Sequence, residues 1–443
     1  MSRYLVILIL SVAAITFAQQ TTSEIRDNQL RQLRAEIAAG NIVYRLSEPE
    51  EIKAIPGPPQ AETTSPDGDM LALKMTYPDV FVAFGKFKNE ELSPFTLLFL
   101  AIRGERMSMG ERGPVLRNNN DLRKLSLFEG FQNVSLRKLD LRNELELIRT
   151  MNYDDLTEWP PMEMLPAGFD PKRLLEEGKN PGLGVHALHK QGITGKGVGI
   201  AIIDQPLLLG HKEYTPRIVR YDATGLMGVA PQMHGPPVAS IAVGRNIGVA
   251  PEAALTYLAV PMWRGDNIFF VRALQKVLAW NAELPEDEKI RVVSISTGMF
   301  RWWPNFEAWK EALRHTEEAG IFVVTCDTSM LNYGLLNVLD GKDRNDPVSY
   351  VAGVSAGEKP VLRVPAGYKT VANHKGIDGY TYYREAGPSW AAPYIAGLAA
   401  LAFQVKKDIK PKQITEYLIQ SATYTHAGPV VNPRQFIELV KQK

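Results

Sequence analysis

Gly387-Pro388-Ser389-Trp390-Ala391-Ala392-Pro393 runs directly into an apolar stretch over residues 394–403. Glycine ahead of the serine frees the backbone for a close approach. The two alanines after it begin a helix that packs tightly against its surroundings. A serine so placed sits at a helix N-terminus, where unpaired N–H groups and the helix dipole favour negative charge. Such a position suits a nucleophilic hydroxyl whose attack creates an oxyanion. A lone serine there is more often a plain helix cap. A nucleophile also needs a base and an orienting acid elsewhere in the chain.

Composition bounds the search. At 443 residues the chain exceeds one typical domain, and two are expected. A formal net charge of +1 points to neither nucleic acid nor an anionic membrane surface. One cysteine, Cys326, excludes an internal disulfide framework. Arg3 precedes an apolar segment over residues 4–17 that ends at Ala18-Gln19-Gln20. This has the order of a secretory signal peptide over residues 1–18, and it is too short for a comfortable membrane span, which leaves an uncleaved membrane anchor as the lesser alternative. A secreted or extracytoplasmic protein is expected, with no stable membrane insertion once the signal is removed.

Residues 19–157 read as a small α+β region, assigned by its position alone. A helix is expected over 23–39, broken at Ile55-Pro56-Gly57-Pro58-Pro59. Residues 70–77 and 80–87 form β-like runs around a Pro78-Asp79 turn. Ser93-Pro94 is expected to open an apolar helix reaching Ile102, and residues 137–149 a charged one. Pro160, Pro161, Pro166 and Pro171 mark residues 158–180 as a linker. Residues 181–443 then form the second domain.

That second domain alternates strands and helices. Gly195-Lys196-Gly197-Val198-Gly199 leads into the strand Ile200-Ala201-Ile202-Ile203, which ends at Asp204. The glycines precede the strand, the reverse of a dinucleotide-binding turn. Further strands are expected over 255–260, 291–296, 321–326 and 349–354, with helices over 267–283 and 305–319. The fold class is α/β: a mostly parallel sheet flanked by helices, preceded by the smaller α+β region. Functional groups in such sheets gather beyond the carboxyl ends of the strands, where Asp204 lies. His234 heads a buried helix, with Pro236 and Pro237 tolerated in its first turn. His186 and His189 have i,i+3 spacing without a carboxylate in register, and no metal site is expected there.

Asp204, His234 and Ser389 follow the chain order Asp…His…Ser of subtilisin. Local motifs agree in order and spacing: Gly248-Val249-Ala250-Pro251-Glu252-Ala253 after the histidine helix, Ser294-Ile295-Ser296-Thr297-Gly298, and the G-x-S-x-A-x-P pattern of 387–393. Residues 180–435 thus resemble the subtilisin-like serine peptidases (subtilases, peptidase family S8). The resemblance implies Ser389 as nucleophile, His234 as general base and Asp204 as its orienting acid. It implies a polypeptide substrate pairing as an added strand along Ser294, Ser296 and Gly298. It implies a second oxyanion donor just after strand 321–326. The family has an asparagine there, whereas this chain has Asp327-Thr328-Ser329, leaving the hydroxyls of Thr328 or Ser329. No cofactor is required. Carboxylates are plentiful, but none has a calcium-loop spacing, so a structural calcium ion stays open. Nothing in the sequence sets an oligomeric state. A binding or scaffold protein on the same fold, with a weak or idle triad, is the alternative. An α/β-hydrolase esterase fits worse, for want of a G-x-S-x-G elbow.

Overall fold

The computed structural model describes residues 24–443 except 40, 44, 68–69, 88–95, 104, 107–112, 126–129, 224–225, 227–228, 299–300, 328–330 and 354–358. The expected signal segment, Ser93-Pro94, Thr328 and Ser329 therefore lie outside the described residues. The chain forms two compact units. One takes the chain up to Ile148 together with Leu156–Phe169; the other takes Arg149–Asp155 and Asp170–Lys443.

In the first unit, α1 (residues 24–38) and α2 (Pro49–Lys53) precede five strands. These are β1 (Ala61–Asp67), β2 (Met70–Thr76), β3 (Val80–Phe87), β4 (Thr96–Ile102) and β5 (Glu105–Arg106), paired antiparallel in chain order. Leu33 of α1 packs with Met75, Val82, Leu97 and Leu100 of the sheet. The helix expected up to Ile102 is instead β4. Its pairing with β3 slips between Ala83 and Phe84, so Leu97 and Leu100 are both buried despite their three-residue spacing. A bulge reproduces helical periodicity here. In the charged stretch 137–149 only α3 (Leu145–Ile148) is helical.

The second unit begins with β6 (Tyr153–Asp154), α4 (Pro171–Glu177), α5 (Val185–His189), β7 (Gly199–Asp204), β8 (Ile218–Asp222), α6 (Gly235–Val243) and β9 (Ala254–Ala259). It continues with α7 (Ile268–Glu283), β10 (Ile290–Ile295), α8 (Phe306–Glu318), β11 (Phe322–Thr325), β12 (Tyr333–Val338), β13 (Tyr350–Ala352) and β14 (Leu362–Gly367). It closes with β15 (Lys369–Ala372), β16 (Tyr380–Tyr383), α9 (Pro388–Val405), α10 (Pro411–Gln420), β17 (Thr423–Thr425), β18 (Gly428–Val430) and α11 (Pro433–Gln442). Pro171 sits at the first position of α4, capped by Asp170, whose carboxylate accepts the N–H groups of Lys172 and Arg173, both at 3.1 Å. The expected linker is folded on both sides of that proline: Leu156–Phe169 belong to the first unit, and α4 opens at Pro171.

The central sheet has the order β11-β10-β7-β9-β8, and every pair in it is parallel. Alternation along the strands feeds two cores. Ile200, Ile202, Leu255 and Tyr257 pack with Val238 and Ile241 of α6 and Ile395 and Leu398 of α9. Ala201, Ile203, Leu258 and Val260 pack with Phe270 and Leu274 of α7 and Trp309 of α8. Both faces are covered, which is why these strands read as unbroken apolar runs. The strand expected at 349–354 is β13, which pairs antiparallel with β12 in a second sheet and not in the parallel one.

A third, three-stranded sheet has the order β15-β16-β6. Here β6 pairs with Thr381 and Tyr382 of β16. The buried Arg384 donates its backbone N–H to Asn152 Oδ1 at 2.9 Å and its Nε to the Met151 carbonyl at 3.1 Å. Its guanidinium also meets Asp340 at 2.6 Å. Tyr153 Oη donates to the Pro171 carbonyl at 3.0 Å, and Lys375 reaches Asp154 at 3.2 Å.

Candidate active site

The site grows from the carboxyl edge of the parallel sheet. Asp204 ends β7 and is fully buried. Its Oδ1 accepts the Gln205 N–H at 2.7 Å and stands 2.8 Å from His234 Nδ1. A carboxylate can only accept, so Nδ1 carries the proton and Nε2 keeps its lone pair. Burial works against the imidazolium, but the charge and hydrogen bond of Asp204 outweigh it, so the His234 pKa is raised above its ordinary value.

The helix on its C-terminal side holds His234 in place. The histidine caps α6, whose first turn contains Pro236 and Pro237. A Cβ on Gly235 would lie 2.6 Å from Tyr257 Oη and 2.7 Å from the Gln205 carbonyl. Only glycine lets the helix start press this closely on the loop after Asp204. Tyr257 Oη donates to that same carbonyl at 2.5 Å, tying β9 to the loop.

Ser389 is the second residue of α9, behind Gly387 as cap and Pro388. The expected close approach at Gly387 is absent: its backbone is extended (φ −89°) and a Cβ there would meet nothing within 4 Å. The close approach lies further along the helix, where a Cβ on Gly397 would stand 2.5 Å from Val249 Cβ. Pro388 has no N–H, and Trp390 N–H turns back to the Gly387 carbonyl at 3.1 Å. The Ser389 N–H is thus the first donor of α9 free of the helix itself.

Pro393 adds a constraint. Lying four residues after Ser389 inside the helix, it cannot donate to the Ser389 carbonyl. Ser296 fills the vacancy: its Oγ donates to that carbonyl at 2.9 Å. In return Ser389 Oγ donates to the Ser296 carbonyl at 3.1 Å. No hydrogen bond joins Ser389 to His234 among the described residues. Trp390 instead stands edge-on to the imidazole, with ring centroids 5.4 Å apart, and is backed by Tyr383 at the same separation.

Of the three residues expected to pair with substrate, Ser294 lies within β10, and Ser296 and Gly298 lie beyond its end. β10 is an inner strand between β11 and β7, with no free edge to pair an added chain. Ser294 is fully buried in its middle. Ser296 clamps α9 at Ser389. Of the three, Gly298 alone, half-buried beyond the strand end, has an accessible backbone.

Sequence reasoning missed Cys326. It follows β11 on the same sheet edge, with Sγ 3.9 Å from Ser389 Oγ. Burial pushes its thiol pKa up to about 12, with hydrogen bonds to Ser389 and Tyr333 opposing. The available signal was its place after an apolar strand neighbouring that of Ser296. Among the described residues no group of three or more His, Cys, Asp or Glu side chains could hold a metal ion. His189 spends its Nε2 on the Val249 carbonyl at 2.8 Å. No described helix is long and apolar enough to cross a membrane.

Known proteins match the part of the chain that carries this geometry. The model of the subtilase family matches residues 195–435. The subtilisin-like protease PopC of Myxococcus xanthus is 26% identical over 281 residues, which are 54% of this chain and 58% of PopC. The chain therefore matches little more than half the length of that relative. Among solved structures, fervidolysin from Fervidobacterium pennivorans, a keratinolytic enzyme related to subtilisin, aligns with a TM-score of 0.45 and 17% identity over 59% of this chain and 45% of its own. The prenylagaramide maturation protease PagA aligns with a TM-score of 0.43 and 17% identity, over 59% of this chain and 99% of its own.

Proposed function

The chain belongs to the subtilase family, and from that premise we propose that it is a secreted serine endopeptidase. The observation that carries this is the 2.8 Å contact of buried Asp204 with His234, on the sheet edge where α9 presents Ser389. For reaction, the Ser389 hydroxyl turns about χ1 from the Ser296 carbonyl to His234 Nε2. Such bonds are often unmade until substrate arrives. Ser389 Oγ attacks the peptide carbonyl carbon as His234 takes its proton. The tetrahedral intermediate collapses, His234 gives the proton to the leaving amine, and an acyl-enzyme remains for water to hydrolyse. Asp204 holds the imidazole tautomer throughout. The Ser389 N–H is one oxyanion donor, and a hydroxyl of Thr328 or Ser329 is the second. Loss of a side-chain donor costs about 10²–10³ in kcat, a magnitude taken from subtilisin itself. Without an asparagine there, a slow hydrolase is expected. Residues 19–157 act as a propeptide, cut off by the enzyme itself within 158–180.

One observation favours the second reading, a binding or scaffold protein: Ser389 bonds Ser296 and not His234. Labelling with a serine-directed fluorophosphonate separates the two. Wild type is expected to label and Ser389→Ala not. Folded wild type that stays unlabelled would leave the scaffold reading.

A further inference from the structure

Beyond the carboxyl ends of β9 and β8 lies a second concavity, a cavity of about 380 Å³. Its floor is apolar and includes Val260, whose N–H donates to the Asp204 carbonyl at 2.8 Å. Its rim is charged. Arg272 and Lys276 lie one turn apart on the face of α7 that carries Phe269, and Arg264 comes from the turn after β9. Lys276 is paired with Asp222 at 2.7 Å. Arg264 lies over the Phe269 ring, 5.8 Å from its centroid, and has no carboxylate partner among the described residues. Arg272 has none among them either. Asp222 is the one carboxylate of the described lining, against three cations. In a chain whose net charge is +1, this is a local excess of two positive charges over an apolar floor.

We propose that this cavity binds an acidic side chain of the polypeptide substrate, a few residues from the scissile bond. The proposal rests on the peptidase reading and gives it a substrate class. The two guanidinium groups of Arg264 and Arg272 offer the planar forks that match a carboxylate. The apolar floor takes the methylene stem of a glutamate and adjoining side chains. Placement fits as well. The cavity lies at the carboxyl ends of β9 and β8, and β9 pairs directly with β7, so at about 4.8 Å between neighbouring strands it starts within about 10 Å of Asp204, on the edge of the sheet that carries the candidate site.

The test uses the full chain as Ser389→Ala, with fluorescent peptides carrying Glu or Gln at each position up to five residues either side of a chosen bond. Anisotropy should show one position where Glu binds about tenfold more tightly than Gln, an advantage that shrinks with added salt. In Ser389→Ala with R264Q and R272Q, the Glu advantage should vanish while Gln-peptide affinity stays the same. Turnover of the same peptides by the wild type should show the same preference in kcat/KM. No Glu advantage at any position, or one that survives the double replacement, overturns the assignment. Displacement of the Glu peptide by low-millimolar inorganic phosphate would mark a small-anion site and overturn it too. Because binding is read without catalysis, a Glu advantage in a chain that hydrolyses nothing would sink the peptidase reading alone.

Discussion

Removing the Ser296 hydroxyl tests the link between Pro393 and Ser389. In the native protein the Ser389 carbonyl takes its hydrogen bond from Ser296 Oγ at 2.9 Å, because Pro393 cannot supply the usual i+4 N–H. Ser296 is only 2% exposed, so water cannot replace the lost hydroxyl. Ser296→Ala therefore leaves a buried acceptor unsatisfied, at a cost of about 1–3 kcal/mol. With a urea dependence of about 2–3 kcal/mol per molar, the midpoint falls by roughly 0.3–1.5 M. Pro393→Ala restores a helical N–H aimed at the same carbonyl. In that background Ser296→Ala should cost well under 1 kcal/mol, giving a coupling of about 1–2 kcal/mol where independent sites agree within about 0.5. The assay is equilibrium urea unfolding of the full chain and its three variants, followed by tryptophan fluorescence. Equal losses from Ser296→Ala in both backgrounds would refute the reasoning, since the hydroxyl would then act without reference to the missing N–H.

Other expectations concern the titrating groups and the site of cleavage. The acid limb of kcat/KM should have its midpoint above pH 6.5, because His234 must be neutral to act and its pKa is raised. Asp204→Asn removes the raising influence and leaves burial, so residual activity should show a limb shifted below that value and kcat lower by on the order of 10⁴, as in other serine peptidases; an unmoved limb would detach Asp204 from the imidazole. Cys326, with its pKa pushed up to about 12, should resist iodoacetamide at pH 8 in the native protein and react only after unfolding. Rapid native alkylation, read by mass spectrometry, would contradict the raised pKa. Wild type should be trimmed within 158–180 while Ser389→Ala stays whole, and equal masses would reject self-processing.

The strand end at Asp204, the helix head at His234 ahead of two prolines and the glycine-led helix at Ser389 were legible from hydrophobic patterning, while their grouping rested on chain order and the subtilisin-like motifs. The parallel sheet was legible for the same reason, from apolar runs alternating with amphipathic helices. What stayed hidden depends on register. The bulge opposite Ala83 and Phe84 gave β4 a helical spacing. Ser294 and Ser296 look alike in sequence, yet one is sealed inside β10 and the other bonds a helix 93 residues away. Cys326 and Ser389 are 63 residues apart, and only sheet order brings them together.

The small strand β6 alters what cleavage would mean. The chain leaves the first unit at Ile148, lends residues 149–155 to the sheet beside Arg384, and returns for 156–169. A cut within 158–180 would sever the polypeptide yet leave this strand laced into the second unit. The N-terminal half would then persist as a subunit, not a by-product, and its departure would be governed by a dissociation rate instead of by the cut. Removing it would require peeling β6 from β16 and exposing the buried guanidinium of Arg384.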